Sequence, residues 1–259
     1  MTKKVILTTL VAFVLLLAVI AAGINAVFTV TLVRVDFVVY SEQGFQESEE
    51  LQEKLNRYIG KSTTFLSLSD LEEDIAEYPC FRVETLEKNY PATVEVRVLE
   101  RRETYAYMLK EGGYAVLDAD GVYLYDKAKN ENRAGGENVL IGDGFDLKLE
   151  EGQKAEGRYF SELLCVFSVF NDMLEEARIN AESVSLAFGG APSSGIFDFV
   201  IQMREGIVIT LTDIAARTAE KAAVAMESYC AMRDDERVRG TLTVFVNESG
   251  AIDTDRKSN

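Results

Sequence analysis

The chain has 259 residues, 47% of them hydrophobic and 27% charged, which excludes a disordered polypeptide and suits one or two folded domains. Asp and Glu outnumber Lys and Arg by 43 to 27, and a surface of that sign repels nucleic-acid phosphates and anionic headgroups. There is no histidine, which rules out Ser-His-Asp and Cys-His catalysis together with His-containing zinc sites. Three cysteines, Cys80, Cys165 and Cys230, are too few for a disulfide-built scaffold. Cys165 and Cys230, both on expected helices, could pair or could serve as small buried apolar residues.

The first element is apolar. From Val5 to Val33 there is no charged residue for 29 positions. A helix of that length would reach about 43 Å at about 1.5 Å per residue, beyond the roughly 30 Å hydrocarbon core, so a membrane helix need not use all of it. The expectation is a single-pass helix over 5–24 behind a short cytoplasmic tail, 1–4. Gly23 and Asn25 weaken a helix, and the β-branched stretch Phe28–Val33 leads into a strand. With Lys3 and Lys4 set aside, 25 basic residues face 43 acidic ones, a net charge of −18, so the bulk of the chain is expected outside the cytoplasm. The run Val5–Ala22 is 18 residues, longer than the usual signal-peptide core of about 7–15, which favours an uncleaved anchor. Ala21-Ala22-Gly23 would alternatively serve as a cleavage site.

After the apolar run, Val33, Val35, Phe37 and Val39 alternate as one face of a strand. A polar turn with Gly44 comes next. A helix is expected from Ser48, with Glu49 and Glu50 at the positive end of its dipole and Leu51, Leu55, Tyr58 and Ile59 as its apolar stripe. A second helix opens at Ser69 and Glu72 in capping-box spacing, buries Leu71, Ile75 and Tyr78, and halts at Pro79. Strands Phe81–Lys88 and Thr93–Leu99 flank the turn Asn89-Tyr90-Pro91, the second with Val94, Val96 and Val98 inward.

This order and its local residues resemble a POTRA domain of the FtsQ/DivIB cell-division family. The residues that carry the resemblance are the Ser48-Glu49-Glu50-Leu51 helix start, Tyr78-Pro79 closing the second helix, and the stretch from Val83 to Arg101. That stretch looks like a strand, an aromatic-Pro turn and a strand ending in Glu100-Arg101. Tyr114–Val122 is similar to the family's hairpin built on an Asp and a Gly.

Further along, Tyr105–Leu109, Tyr114–Leu117 and Val122–Tyr125 read as short strands, and 126–138 as a mobile, Gly-rich loop. A helix over Arg158–Arg178 would bury Phe160, Leu163, Leu164, Phe167, Phe170 and Leu174. Strands at Ser183–Phe188, Ile196–Met203 and Ile207–Leu211, a helix Arg217–Met232 and a closing strand Thr241–Val246 complete the expected elements. The expected fold is therefore α+β: a single N-terminal transmembrane helix, a β-α-α-β-β POTRA-type domain at 32–101, and a sheet-dominated domain with two helices at 102–247. Residues 248–259 are expected as a disordered tail.

No residue pattern suggests catalysis, cofactors or a metal. Gly112-Gly113, Gly135-Gly136 and Gly189-Gly190 lack phosphate-loop spacing, and Asp118-Ala119-Asp120-Gly121 fits a hairpin turn better than a calcium loop. The acidic groups Glu49-Glu50, Glu72-Glu73-Asp74 and Glu175-Glu176 read as solvated helix faces. Sheet edges are the better candidates, because an extended partner can complete their unpaired backbone. The resemblance implies a non-enzymatic scaffold of the bacterial division machinery. Its partners would be FtsB/DivIC-type and FtsL-type division proteins and, through the anchor, the lipid bilayer, but not nucleic acid. By the same resemblance the partner strand would meet Thr241, Thr243, Phe245 and Asn247 at a sheet edge. The alternatives are a POTRA-type chaperone or export-associated binding protein of the envelope, and an envelope enzyme with an unfamiliar site.

Overall fold

Apolar residues collect into two separate cores, and each core belongs to its own unit, residues 1–101 and 102–259. The structure is a computed structural model that describes residues 3–173, 180–190 and 195–258, and within these every side chain except those of 3–9, Ala21 and Asn25. The fold is α+β, with few helices and a sheet-rich second unit.

Unit 1 begins with α1 (Lys3–Val27), the element in which the anchor over 5–24 was expected. Among the described residues no helix is long and apolar enough to cross a membrane. The 1–4 tail falls partly outside the described residues, since Met1 and Thr2 are not among them. Next come β1 (Leu32–Val38), α2 (Glu42–Asn56), α3 (Leu68–Ala76), β2 (Phe81–Asn89) and β3 (Thr93–Glu100). β3 lies in the middle of the sheet, parallel to β1 and antiparallel to β2, and the Tyr90–Pro91 peptide is cis.

The two helices share one core with the sheet. Leu51 and Leu55 from α2, Leu71 and Ile75 from α3, and Val94, Val96 and Val98 from β3 are all buried. The α2 start differs from expectation. Its N-cap is Ser41, whose Oγ accepts from Gly44 N at 2.9 Å, and Ser48 lies buried within the helix, donating to Phe45 O at 2.7 Å. Gly44, expected in a turn, lies within α2, where a Cβ would collide with the Glu100 carboxylate. That carboxylate accepts from Tyr40 N at 2.7 Å, Ser41 N at 3.1 Å and Ser41 Oγ at 2.5 Å. For α3 the N-cap is Ser67 rather than Ser69.

Unit 2 contains β4 (Glu103–Met108), β5 (Tyr114–Asp118), β6 (Tyr123–Lys127), β7 (Val139–Ile141), the two-residue strands β8 (Leu147–Lys148) and β9 (Glu156–Gly157), and α4 (Phe160–Met173). It continues with β10 (Ala181–Phe188), β11 (Phe197–Met203), β12 (Val208–Leu211), α5 (Thr218–Cys230), α6 (Asp234–Arg237), β13 (Thr241–Val246) and β14 (Ile252–Lys257). Nine strands form one sheet in the order β14-β13-β12-β11-β10-β7-β4-β5-β6. α4 and α5 pack against each other, and Phe160, Leu163, Phe167, Phe170, Ala222, Ala225 and Met226 enter the larger core. Leu174 and the expected helix end at Arg178 lie outside the described residues, as do Glu175 and Glu176.

At the β5–β6 turn Asp118 Oδ1 accepts from Asp120 N at 2.9 Å and Val122 N at 2.8 Å, the hairpin arrangement. The segment 126–138 is tied down by its polar side chains. Asn132 Nδ2 donates to Glu103 O at 2.8 Å and to Asn138 Oδ1 at 2.7 Å, and Asn130 Nδ2 donates to Asn138 O at 3.0 Å. The described part of the expected tail, 248–258, is not disordered. β14 pairs antiparallel with β13 from Ile252 to Lys257.

Candidate functional site

An open sheet has two edges, and each edge carries N–H and C=O groups without a ladder partner. In unit 2 these edges are β6 and β14. The start of β6 is covered by the 152–155 loop: Tyr123 N donates to Gln153 O, and Gly152 N to Tyr123 O, both at 2.9 Å. β14 has no strand beyond it among the described residues.

The residues expected at the docking edge sit one strand further in. Thr241 and Thr243 face Val208 and Thr210 of β12 on one side and Lys257 and Asp255 of β14 on the other, while Phe245 is opposed by Asp253. Thr241, Thr243 and Phe245 are therefore not edge residues: the β12 and β14 ladders occupy the backbone that a partner strand would need. Asn247 lies beyond β13 and builds the turn that makes β14 possible. Its Oδ1 accepts from Ser249 N at 3.0 Å, Ser249 Oγ at 2.6 Å and Ala251 N at 3.1 Å, and Gly250 takes a positive φ of 82°.

The β13–β14 register fixes which backbone groups face outward. Asn247 N donates to Ala251 O at 2.8 Å, so that pair is hydrogen-bonded. Bonded and non-bonded pairs alternate along an antiparallel ladder. Phe245/Asp253, Thr243/Asp255 and Thr241/Lys257 therefore share the bonds, and the backbone of Ile252, Thr254 and Arg256 points away from β13. One of these groups is already engaged: Thr254 N donates to its neighbour Asp253 Oδ1 at 2.8 Å. Such a side-chain guard is a familiar way of blunting an edge.

The strand is supported from within. Ile252 packs on the main core, and α5 lies against β12, β13 and β14. Arg256 reaches Glu236 of α6 at 2.8 Å. Hydrogen bonding from Arg233 N and then from Arg256 holds the Glu236 carboxyl below its ordinary range.

The remaining polar clusters of unit 2 are bonded within the unit, apart from the buried Asn138 Nδ2, which has no hydrogen-bond partner among the described residues. Buried Glu103 accepts from the Tyr125 phenol, from Lys127 Nζ at 2.8 Å and from Arg133 N at 3.2 Å, while the Arg133 guanidinium lies 4.3 Å from the Tyr125 ring centre. Lys221, fully buried, donates from Nζ to Thr212 O and Asp213 O, each at 2.5 Å. Burial pushes its ammonium below the ordinary lysine range, against the opposing pull of Asp213 and Asp198. Tyr229 donates to Glu205 and accepts from Asn180 Nδ2 at 3.2 Å, and burial first and Glu205 second push its phenol up to about 12. A groove of about 370 Å³ has Tyr107, Leu109, Leu147 and Leu149 as its apolar lining and Lys110, Glu111, Asp126 and Asp146 as its charged one.

Among the described residues no group of Cys, Asp and Glu gathers as a metal site, and none of the three cysteines is in a disulfide. Cys80 is buried, but Cys230 is exposed rather than an apolar core residue. Asp74 departs from its expected solvated place in unit 1. It is buried, accepts from Tyr58 Oη at 2.6 Å and pairs with the Arg57 guanidinium at 2.5 Å.

β14 escaped the sequence reading although its signal is present. Asn247-Glu248-Ser249-Gly250 is turn chemistry, and Ile252, Asp253, Thr254 and Asp255 alternate with the period of a half-covered strand. Comparison with protein-family models and with curated proteins finds no match to this chain.

Proposed function

We propose that the chain is a non-enzymatic, single-pass scaffold of the bacterial division machinery, recruiting and coupling division proteins through its extracytoplasmic units. The observation that carries the docking part is the outer flank of β14, where the carbonyls of Ile252, Thr254 and Arg256 and the N–H groups of Ile252 and Arg256 face away from β13 toward an incoming strand. The division assignment is supported by the residues of the FtsQ/DivIB resemblance and by the β-α-α-β-β order of unit 1. The anchor is supported by the charge-free run from Val5 to Val33. Tethering would act by concentration: partners confined beside one another at the membrane bind as though in a single molecule. The partner strand, of the FtsB/DivIC type, would extend the sheet beyond β14 rather than beside β13.

The test uses the native cell. Depletion of the protein is expected to give filaments, and a fluorescent fusion of the full chain to form midcell bands. Uniform envelope fluorescence with normal cell length on depletion overturns the division reading. Thr254→Pro tests the edge. Its N–H points away from β13 and is already held by Asp253 Oδ1, so proline leaves the internal ladder whole and acts by placing its ring on the outer flank, where an added strand would have to approach. Rescue of division by the T254P chain at wild-type level overturns strand addition at β14.

A further inference from the structure

The end of unit 1 next to α1 differs in chemistry from the rest of this acidic chain. Three segments meet there. Val30 N donates to Lys61 O and Gly60 N to Val30 O, each at 2.8 Å; Thr63 N donates to Phe28 O at 2.6 Å; Thr31 N donates to Ala92 O at 2.8 Å. The residues immediately after α1 are thus clamped between the 59–65 loop and the β2–β3 turn. The Phe28 and Tyr90 rings meet edge-on, their centres 6.1 Å apart.

This pole exposes what a soluble surface normally hides. Phe65 is 87% exposed and Tyr90 59%, and Ile59 and Val27 are also exposed. It also lacks what the rest of the surface has in excess. Residues 5–35, 59–69 and 88–94 contain no Asp or Glu, in a chain that has 43. The charges these segments do carry are positive: Lys61, exposed, Lys88 and Arg34, the last of which pairs with Glu95 at 2.9 Å.

We propose that this pole rests on the lipid surface. Phe65 and Tyr90 would enter the interfacial zone, and Lys61 would face anionic headgroups. The inference depends on the anchor reading of α1, to which the exposed rings and the absence of carboxylates add their own support. Aromatic rings favour the headgroup level of a bilayer, and a basic residue beside them adds attraction to anionic lipid, whereas carboxylates there would be repelled. α1 ends at Val27, one residue from the hydrogen bond at Phe28, so a membrane-embedded α1 delivers this pole to the interface. The exposed Phe65 is then a foot and not a packing defect. Unit 1 would be held close to the bilayer by two attachments, the covalent one and the aromatic one.

The chain has no tryptophan, so a single Phe65→Trp substitution makes residue 65 the sole tryptophan reporter. The full-length protein is placed in vesicles of mixed phosphatidylethanolamine and phosphatidylglycerol whose acyl chains carry bromine near the headgroup. Tyr90→Trp is a second reporter. Phe45→Trp is the control, exposed and beyond the far end of β1, about 20 Å away at about 3.3 Å per residue. The expected result is about twofold quenching for F65W and Y90W and none for F45W, as interfacial burial of an aromatic ring requires. Protein that survives an alkaline carbonate wash yet leaves F65W and Y90W no more quenched than F45W overturns the lipid contact while the anchor stands. That result would direct the pole to a protein partner. Protein released by the wash overturns the anchor reading, and the inference falls with it.

Discussion

Both units lay two helices against a sheet, yet they treat ionisable groups differently. In the three-stranded unit 1, buried Asp74 sits at the margin, with Arg57 and Lys54 reaching it from the solvent side and the Tyr58 phenol from the core side. In the nine-stranded unit 2, the Glu103 side chain and Lys221 are fully sealed. A small sheet has too little depth to enclose a charge completely, so its ion pairs remain half-wet and contribute modestly. A wide sheet can enclose one, but every donor must then find an acceptor or the burial penalty dominates. The sealed groups also serve connections. Lys221 ties down Thr212 and Asp213, where Asp213 has a φ of 47°, and Glu103 holds the segment leading to β7.

The contrast predicts its largest effect at Lys221. Lys221→Ala should destabilise unit 2 by about 3 kcal/mol, through a cavity and two orphaned carbonyls, read as loss of amide-exchange protection in β12 and α5. A loss no larger than that of an exposed lysine would show that the sealed ammonium does not hold the turn. In unit 1 the corresponding change is Tyr58→Phe, which removes one donor from Asp74 and leaves Arg57 in place. It should cost about 1–2 kcal/mol by denaturant unfolding followed in the unit 1 core, less than Lys221→Ala.

The smallest effect is visible only in alkali. Folded Tyr229 holds its proton up to about 12, above the ordinary tyrosine value of 10.0. Its contribution is thus whole below about pH 10 and is lost as the pH rises through about 12, because the unfolded chain gives up that proton first. Tyr229→Phe should flatten that part of the stability–pH curve for unit 2. An unchanged slope between wild type and variant would remove Glu205 and burial as the cause.

Periodicity in the sequence was enough to place β2, β3, β11, β13, α4 and α5 near their observed positions, because alternation of period two or an apolar helical stripe reports a buried face directly. Elements whose residues do not report burial were harder. β7 is only three residues long, and its place depends on parallel neighbours distant in sequence. The segment before it looked mobile because Asn and Gly are common in loops, yet Asn130, Asn132 and Asn138 bond one another and the backbone. The docking edge failed for a related reason. Thr241–Val246 is legible as a strand, but a strand ends a sheet only if no other segment of the chain pairs with its far side. Polar β14 looked like a tail because only Ile252 and Thr254 keep partial cover. α2 was placed late because a glycine at position 44 suggests a turn until the Glu100 carboxylate is seen filling the space above it.

That last pairing bears on how this protein can change over time. Gly44 and Glu100 lie 56 positions apart, and a change at one acts through the other: a methyl group at 44 displaces the carboxylate, and loss of the carboxylate strands the amides of Tyr40 and Ser41. Descendants of this sequence are free to reshape most of the outer face of α2. They are expected to keep these two residues or exchange them together, so covariation between two sites distant in the chain would mark where helix and sheet were joined.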